Sequence, residues 1–166
     1  MAVHVIIDKK PLVLKIPMKP FLIKFLHSKF GENHKASKAT WLGNSAVKLL
    51  SFDYSRPKKV KNKHCMTLVI PPTWCLQYGY FVNYNAIPEF KTNIERIFRD
   101  FMHEYIKINA QDESYGEITR SLKKFLKYYN ISEDEFKLDS AYRHYLRSTK
   151  EQVNKTQKNR VNKKAS

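Results

Sequence analysis

The chain has 166 residues, 42% of them apolar, enough for one ordinary core or two small lobes, and it holds no run of about 18 apolar residues that could cross a membrane as a helix. Its 31 Lys and Arg stand against 15 Asp and Glu, a net charge of +16 that calls for a polyanionic partner, while the lack of an apolar run leads to the expectation of no membrane. The N-terminal segment MAVHVIIDKK lacks the basic start and apolar run of a signal peptide, so the expected location is the cytoplasm.

Ala2 to Ile7 and Leu12 to Ile16 alternate apolar and polar residues around Asp-Lys-Lys-Pro, the pattern of a β-hairpin. Beyond Pro17 and Pro20, Phe21, Leu22, Phe25 and Leu26 recur at helical spacing and Gly31 stands where a helix would stop, which predicts a short amphipathic helix over 20–30. The polar GENHKASKAT reads as a loop, and GNSAVKLLSF as a second short helix that buries Val47, Leu50 and Trp41. SRPKKVKNKH is a basic loop without an acid. His64 to Ile70 reads as a strand ended by Pro71 and Pro72, and Cys65 and Cys75 as two small, buried, reduced thiols. The aromatic segment WCLQYGYFVNYN reads as a strand or turn with buried rings; the competing expectation is that Trp74, Tyr78, Tyr80, Phe81 and Tyr84 stack unpaired bases.

From Pro88 the pattern becomes helical. Phe90, Ile94, Ile97, Phe98, Phe101, Met102 and Tyr105 hold one face for about five turns. Ser114 to Glu117 has capping-box spacing and predicts a second helix carrying Ile118, Leu122, Phe125, Leu126 and Tyr129; Ser132 to Glu135 repeats the device before a third, with Phe136, Ala141, Tyr142, Tyr145 and Leu146 inward. The expected fold is therefore α+β: a small basic N-terminal lobe of short strands and two short helices (1–84), a three-helix bundle (85–149) and a disordered basic tail (150–166).

Charge follows this division. Residues 1–84 hold 14 Lys/Arg and 3 Asp/Glu, residues 85–149 hold 11 of each, and residues 150–166 hold 6 and 1. The excess lies in the first half and the tail, and such acid-poor surface attracts a polyanion by counterion release, inside a cell most often nucleic acid. The candidate contacts are Lys35, Lys38, Arg56, Lys58, Lys59, Lys61 and Lys63 in two loops, with Lys155, Lys158, Arg160, Lys163 and Lys164 in the tail. Lys outnumbers Arg 24 to 7, and Lys meets phosphate as a point charge whereas Arg forks onto guanine edges. Backbone contacts with little sequence preference are expected, to DNA more than to RNA.

The stretch FLKYYNISEDEF places Leu126 at a helix crossing, Asn130 at a turn, and Ile131, Ser132 and Phe136 at apolar and capping positions, so that residues 125–147 resemble a divergent helix-turn-helix. The resemblance implies a helix presented to DNA. Glu133, Asp134 and Glu135 at the start of that helix repel phosphate, however, which leaves Lys137, Arg143 and Arg147 as the only contacts it could offer and moves the expected anion grip to the first half and the tail.

Four glycines, at 31, 43, 79 and 116, cannot form a phosphate-cradling loop, and no His or Cys pair has metal-ligand spacing. Glu89-Phe-Lys91 has a nuclease-like spacing but follows Pro88 at a helix start, and His103 reads as a solvated or internally satisfied side chain. No catalytic residue, metal or cofactor is expected. The leading expectation is a non-catalytic nucleic-acid-binding accessory or regulatory protein, similar in overall style to small phage and mobile-element proteins. The alternative is a virion structural or assembly protein whose bundle docks on itself or another protein while its tail touches packaged nucleic acid; a large exposed apolar patch would favour it.

Overall fold

The computed structural model describes residues 10–56 and 64–150. The first arm of the expected hairpin, the centre of the basic loop and the tail from 151 onward lie outside these residues.

Strand β1 (Leu12–Pro17) leads through Pro20, placed where its missing N–H costs nothing, into α1 (Pro20–Phe30), whose end is marked by Gly31 at φ 78°. The bounds are those expected from the sequence. The next segment departs from it: within the expected loop, Asn33–Lys35 forms strand β2 and buries His34 beneath the Phe30 ring, at 4.6 Å between centroids. Thr40 then accepts a hydrogen bond from Gly43 N at 3.1 Å and starts α2 (Trp41–Ala46). This helix starts before the predicted one and gives way to a 3-10 turn at Val47–Leu49 and to β3 (Leu50–Ser51). Leu42, Ala46, Leu49 and Leu50 point inward, whereas Val47 and Trp41 are only half-buried.

Strand β4 (Cys65–Ile70) is where the sequence put it. It is the centre of a sheet of order β1-β4-β2, antiparallel to β1 from Leu12 opposite Ile70 to Pro17 opposite Cys65, and parallel to β2. Alternation sends Leu14, Ile16, Met66, Leu68 and Ile70 to the core and leaves Cys65 exposed, contrary to the expectation of two buried thiols; Cys75 is buried and both are free. The aromatic segment is likewise not a strand at its start. Pro72 sits at a helix N-terminus and Gly79, at φ 108°, ends α3 (Pro72–Tyr78), after which β5 (Phe81–Val82) pairs antiparallel with β3.

Helix α4 (Ile87–Asn109) follows, then α5 (Tyr115–Tyr128), and residues 138–150 are helical (α6). Two compact units divide the chain, with the boundary inside α4 between Phe98 and Arg99. In the N-terminal unit, Phe98 is fully buried and meets Phe21 and Phe25 at 5.1 and 5.3 Å between ring centroids. Such a ring contributes about 1.5–3 kcal/mol by burial alone.

The C-terminal unit buries Met102, Ile106, Ile118, Leu122, Phe125, Leu126, Ala141 and Tyr145. At the start of α5, Ser114 Oγ accepts from Glu117 N at 3.4 Å as expected, but the Ser114 N–H donates to Asp112, at 2.8 Å, and Glu117 pairs with Arg120. At its end Asn130 adopts φ 54°, Ile131 N donates to Leu126 O at 2.9 Å and Asn130 N to Lys127 O at 3.0 Å. This is a Schellman closure, sealed by the buried Leu126 and Ile131 side chains. The second capping box does not start a helix. Glu135 Oε2 accepts from both the N–H and the hydroxyl of Ser132, at 2.9 and 3.2 Å, so the hydroxyl is engaged as a donor and the chain makes a turn before α6 begins at 138. Glu133, Asp134 and Glu135 therefore stand in a turn and not on a helix. The architecture is α+β with a helical C-terminal region.

Candidate nucleic-acid interface

Three of the predicted contacts lie among the described residues, all in the N-terminal unit and all exposed. Lys35 ends β2, an outer strand of its sheet. Lys38 lies just before α2, where its carbonyl accepts from Asn44 Nδ2 at 2.9 Å and its Nζ leans on α3, donating to Gln77 Oε1 at 3.1 Å and lying 5.0 Å from the Tyr78 ring centroid. These exposed contacts are weak, so they orient Lys38 without withholding its charge. Arg56 lies a few residues beyond β3. Lys58, Lys59, Lys61, Lys63, Lys155, Lys158, Arg160, Lys163 and Lys164 lie outside the described residues.

The segment between β3 and Arg56 is built around the short β3–β5 ribbon, in which Leu50 faces Val82 and Ser51 faces Phe81. Ser55 Oγ donates to Val82 O at 2.7 Å and Tyr54 meets Phe81 edge-on at 5.7 Å, so the chain after β3 folds back over β5. Gly79 makes this possible, because a Cβ there would overlap the backbone of Ser51 and Phe52. The rings left in solvent are large: Phe52 is 64% exposed, Tyr54 69%, Tyr80 46% and Phe81 42%. The aromatic segment was expected to bury its rings. Trp74 does so, while Tyr80 and Phe81 remain outside.

In the C-terminal unit, α5 carries a cationic ridge that the neutral total of residues 85–149 concealed. Arg120, Lys123, Lys124 and Lys127 line an open groove of about 450 Å³ together with Tyr115, Gly116 and Thr119. Helical spacing places residues three and four apart on one face, and between Ile118 and Ser132 the sequence has no acid to interrupt it. Of the cations that the helix-turn-helix resemblance would offer, Lys137, Arg143 and Arg147 are exposed, and Arg143 pairs with Asp139 at 2.8 Å.

His103 is not solvated. It is buried on α4, its Nε2 lies 3.1 Å from His144 Nδ1 on α6, and burial, followed by the neighbouring His144, pushes its pKa down to about 4. One nitrogen of this pair donates and the other accepts, an arrangement that joins two helices. Among the described residues no group of three or more His, Cys, Asp or Glu side chains could hold a metal ion, and no helix is long and apolar enough to cross a membrane.

Comparison of the chain with protein-family models, with curated proteins and with solved structures found no match.

Proposed function

We propose that the protein is a non-catalytic nucleic-acid-binding accessory protein, of the kind phage and mobile-element genomes encode, that grips the phosphate backbone with the basic residues of its first half and its tail. The observation that carries this reading is the segregation of charge: between Glu32 and Glu89 the sequence contains one acid, Asp53, and eight Lys and Arg. A segment of that composition releases counterions when its cations meet a polyanion. Exposure of Lys35, Lys38 and Arg56 supports the same reading, since none of them is sequestered in the core.

A second reading, an assembly subunit, is favoured by different residues. Ile108 is 79% exposed, Tyr115 63% and Tyr128 69%, all in the C-terminal unit, and exposed side chains of this size suit a protein partner.

The deciding experiment measures binding of duplex and single-stranded probes over a salt series, with the mass of the protein in solution recorded alongside. Binding that weakens steeply with salt is expected. Replacing Lys58, Lys59, Lys61 and Lys63 by Ala should weaken binding to all sequences alike and make the salt slope shallower by up to about four units. Absence of binding at low salt, with a stable oligomer in solution, would favour the assembly reading instead.

A further inference from the structure

We propose that the cationic ridge of α5, formed by Arg120, Lys123, Lys124 and Lys127, is a further grip on the phosphate backbone of nucleic acid, on a helix to which the sequence assigned no anion contact. The inference rests on the nucleic-acid reading above and adds a site to it. The ridge is one surface, since all four cations line a single open groove with Tyr115, Gly116 and Thr119. Their spacing of three and four residues puts them on the side of α5 opposite the face that buries Ile118, Ser121, Leu122, Phe125 and Leu126.

Packing of the fold does not call for this arrangement. A solvated helix face ordinarily mixes both signs of charge, and the helices on either side of α5 in the chain do so: Lys107 pairs with Glu104 at 3.1 Å, and Arg143 with Asp139 at 2.8 Å. On α5 only Arg120 has such a partner, Glu117 at 2.7 Å, while Lys123, Lys124 and Lys127 make no ion pair with any described residue. Arg120 and Lys124, like Lys123 and Lys127, are like charges four residues apart, a placement that works against a helix. The helix dipole favours Lys127, in the last turn, but does little for Lys123 and Lys124 before it. An anion carrying several charges in a row relieves this repulsion when it lies along the ridge.

The chemistry of the groove selects a phosphodiester backbone over a protein. Lysine is depleted in protein interfaces, where its hydrated ammonium must be stripped of water, whereas it meets phosphate as a point charge. From Arg120 to Lys127 the ridge covers roughly 10 Å of helix, and one strand of a duplex offers a phosphate about every 3.4 Å of rise, so the ridge matches about three phosphates. Tyr115, 63% exposed and edge-on to Tyr142 at 4.8 Å, stands at the same groove, where its hydroxyl can donate to a phosphate oxygen. Contacts of this kind carry no base identity.

The test measures affinity and salt slope for a mixed-sequence duplex, and affinity for polyglutamate as an acidic polypeptide, with the full chain and three triple variants. The first is Lys123→Gln, Lys124→Gln and Lys127→Gln; the second places Arg at the same three positions. The third, Lys107→Gln, Lys137→Gln and Arg143→Gln, removes the same charge from elsewhere in the C-terminal unit. Gln is as good a helix former as Lys, and far-UV circular dichroism reports that the helices remain. The ridge Gln variant should bind duplex at least about tenfold more weakly near about 0.1 M salt, with a slope shallower by up to about three units. The Arg variant should retain both, and the third variant should change far less. In the wild type, bound duplex should also protect the amines of Lys123, Lys124 and Lys127 from acetylation, a measurement that needs no variant to fold. Unprotected amines, or equal losses in the ridge and control variants, overturn the ridge while leaving the grip of the first half intact. Lost polyglutamate binding with duplex binding unchanged overturns it in favour of an acidic protein partner. A wild-type chain that binds no duplex at low salt removes both this inference and the function on which it rests.

Discussion

Replacing His103 by Leu should remove an acid-sensitive part of the stability of the C-terminal unit. The side chain is 7% exposed, its Nε2 is 3.1 Å from His144 Nδ1, and the Tyr145 ring stands edge-on to it at 5.5 Å. Burial and then His144 lower its pKa from 6.5 to about 4; Asp100 opposes them, and Lys107 and Arg99 reinforce them. In the unfolded chain the imidazole takes up a proton near pH 6.5, in the folded chain only near pH 4, so between these values the unfolded state binds the extra proton. The contribution is therefore intact above pH 6.5, declines as the pH falls toward 4, and is constant below that. At about 1.36 kcal/mol per pH unit the whole window amounts to at most about 3.4 kcal/mol, and screening by water at the edge of the pair reduces it to about 1.5–2.5 kcal/mol. Leu fills the same space and deprives His144 of this partner, at a cost of about 1 kcal/mol near pH 7. Between neutral pH and pH 4.5 the variant should then lose about 1.5–2 kcal/mol less stability than the wild type. Both tryptophans lie in the N-terminal unit and do not report on this one, so the assay is urea unfolding followed by far-UV circular dichroism and by the histidine ring protons. The same pH dependence in both proteins, or a position-103 imidazole that titrates near pH 6.5, would refute the reasoning.

Gly79→Ala places a Cβ into the backbone of Ser51 and Phe52 at a φ of 108°, and should destabilise the N-terminal unit by more than about 2 kcal/mol, read as a lower midpoint of the tryptophan fluorescence transition. Glu135→Ala removes the acceptor for two Ser132 donors, at 2.9 and 3.2 Å, and should cost about 1 kcal/mol in thermal unfolding of the C-terminal unit. Truncation after Lys150 removes a segment whose only aliphatic residues are Val153, Val161 and Ala165; it should leave the melting temperature unchanged while lowering affinity for nucleic acid and flattening its salt dependence.

The elements that could be read from the sequence are those fixed by residues a few places apart. Helix α1 lies between Pro20 and Gly31, both of which act on their own backbone, and its stripe of Phe21, Leu22, Phe25 and Leu26 is buried as the spacing requires. Strand β4 ends at two prolines, and α4 repeats Phe90, Ile94, Phe98, Met102 and Ile106 every four residues. Strand β2 has no such signal. Asn33-His34-Lys35 is polar throughout, and only pairing with β4, more than thirty residues away, makes it a strand and turns His34 inward. Helix α3 was missed because two consecutive prolines read as the end of a strand, whereas Pro72 here occupies the first turn of a helix, where a proline is favoured. At Ser132 the capping spacing was correct and the hydrogen bonds formed, but the Ser hydroxyl donates to Glu135, so the same four residues close a turn and the helix waits until 138.

Surface charge was less legible than fold because a sum over a segment is not the charge of a surface. The neutral sum of residues 85–149 combines an acid-rich turn around Glu133 with the four cations that α5 turns to one groove. A polyanion meets a helix face, not a segment average, and the charges at positions three and four apart along α5 separate the two from the sequence alone. The exposed rings pose the opposite problem. Tyr80 and Phe81 have the composition of a core strand, yet among the described residues β5 pairs with β3 alone, in a short ribbon that leaves both rings in solvent. Exposure of that kind arises from the number of strands in a sheet, which no local pattern encodes. The two omissions therefore have different remedies: the cationic ridge needed only the helical period applied to charge, whereas the aromatic patch required the topology itself.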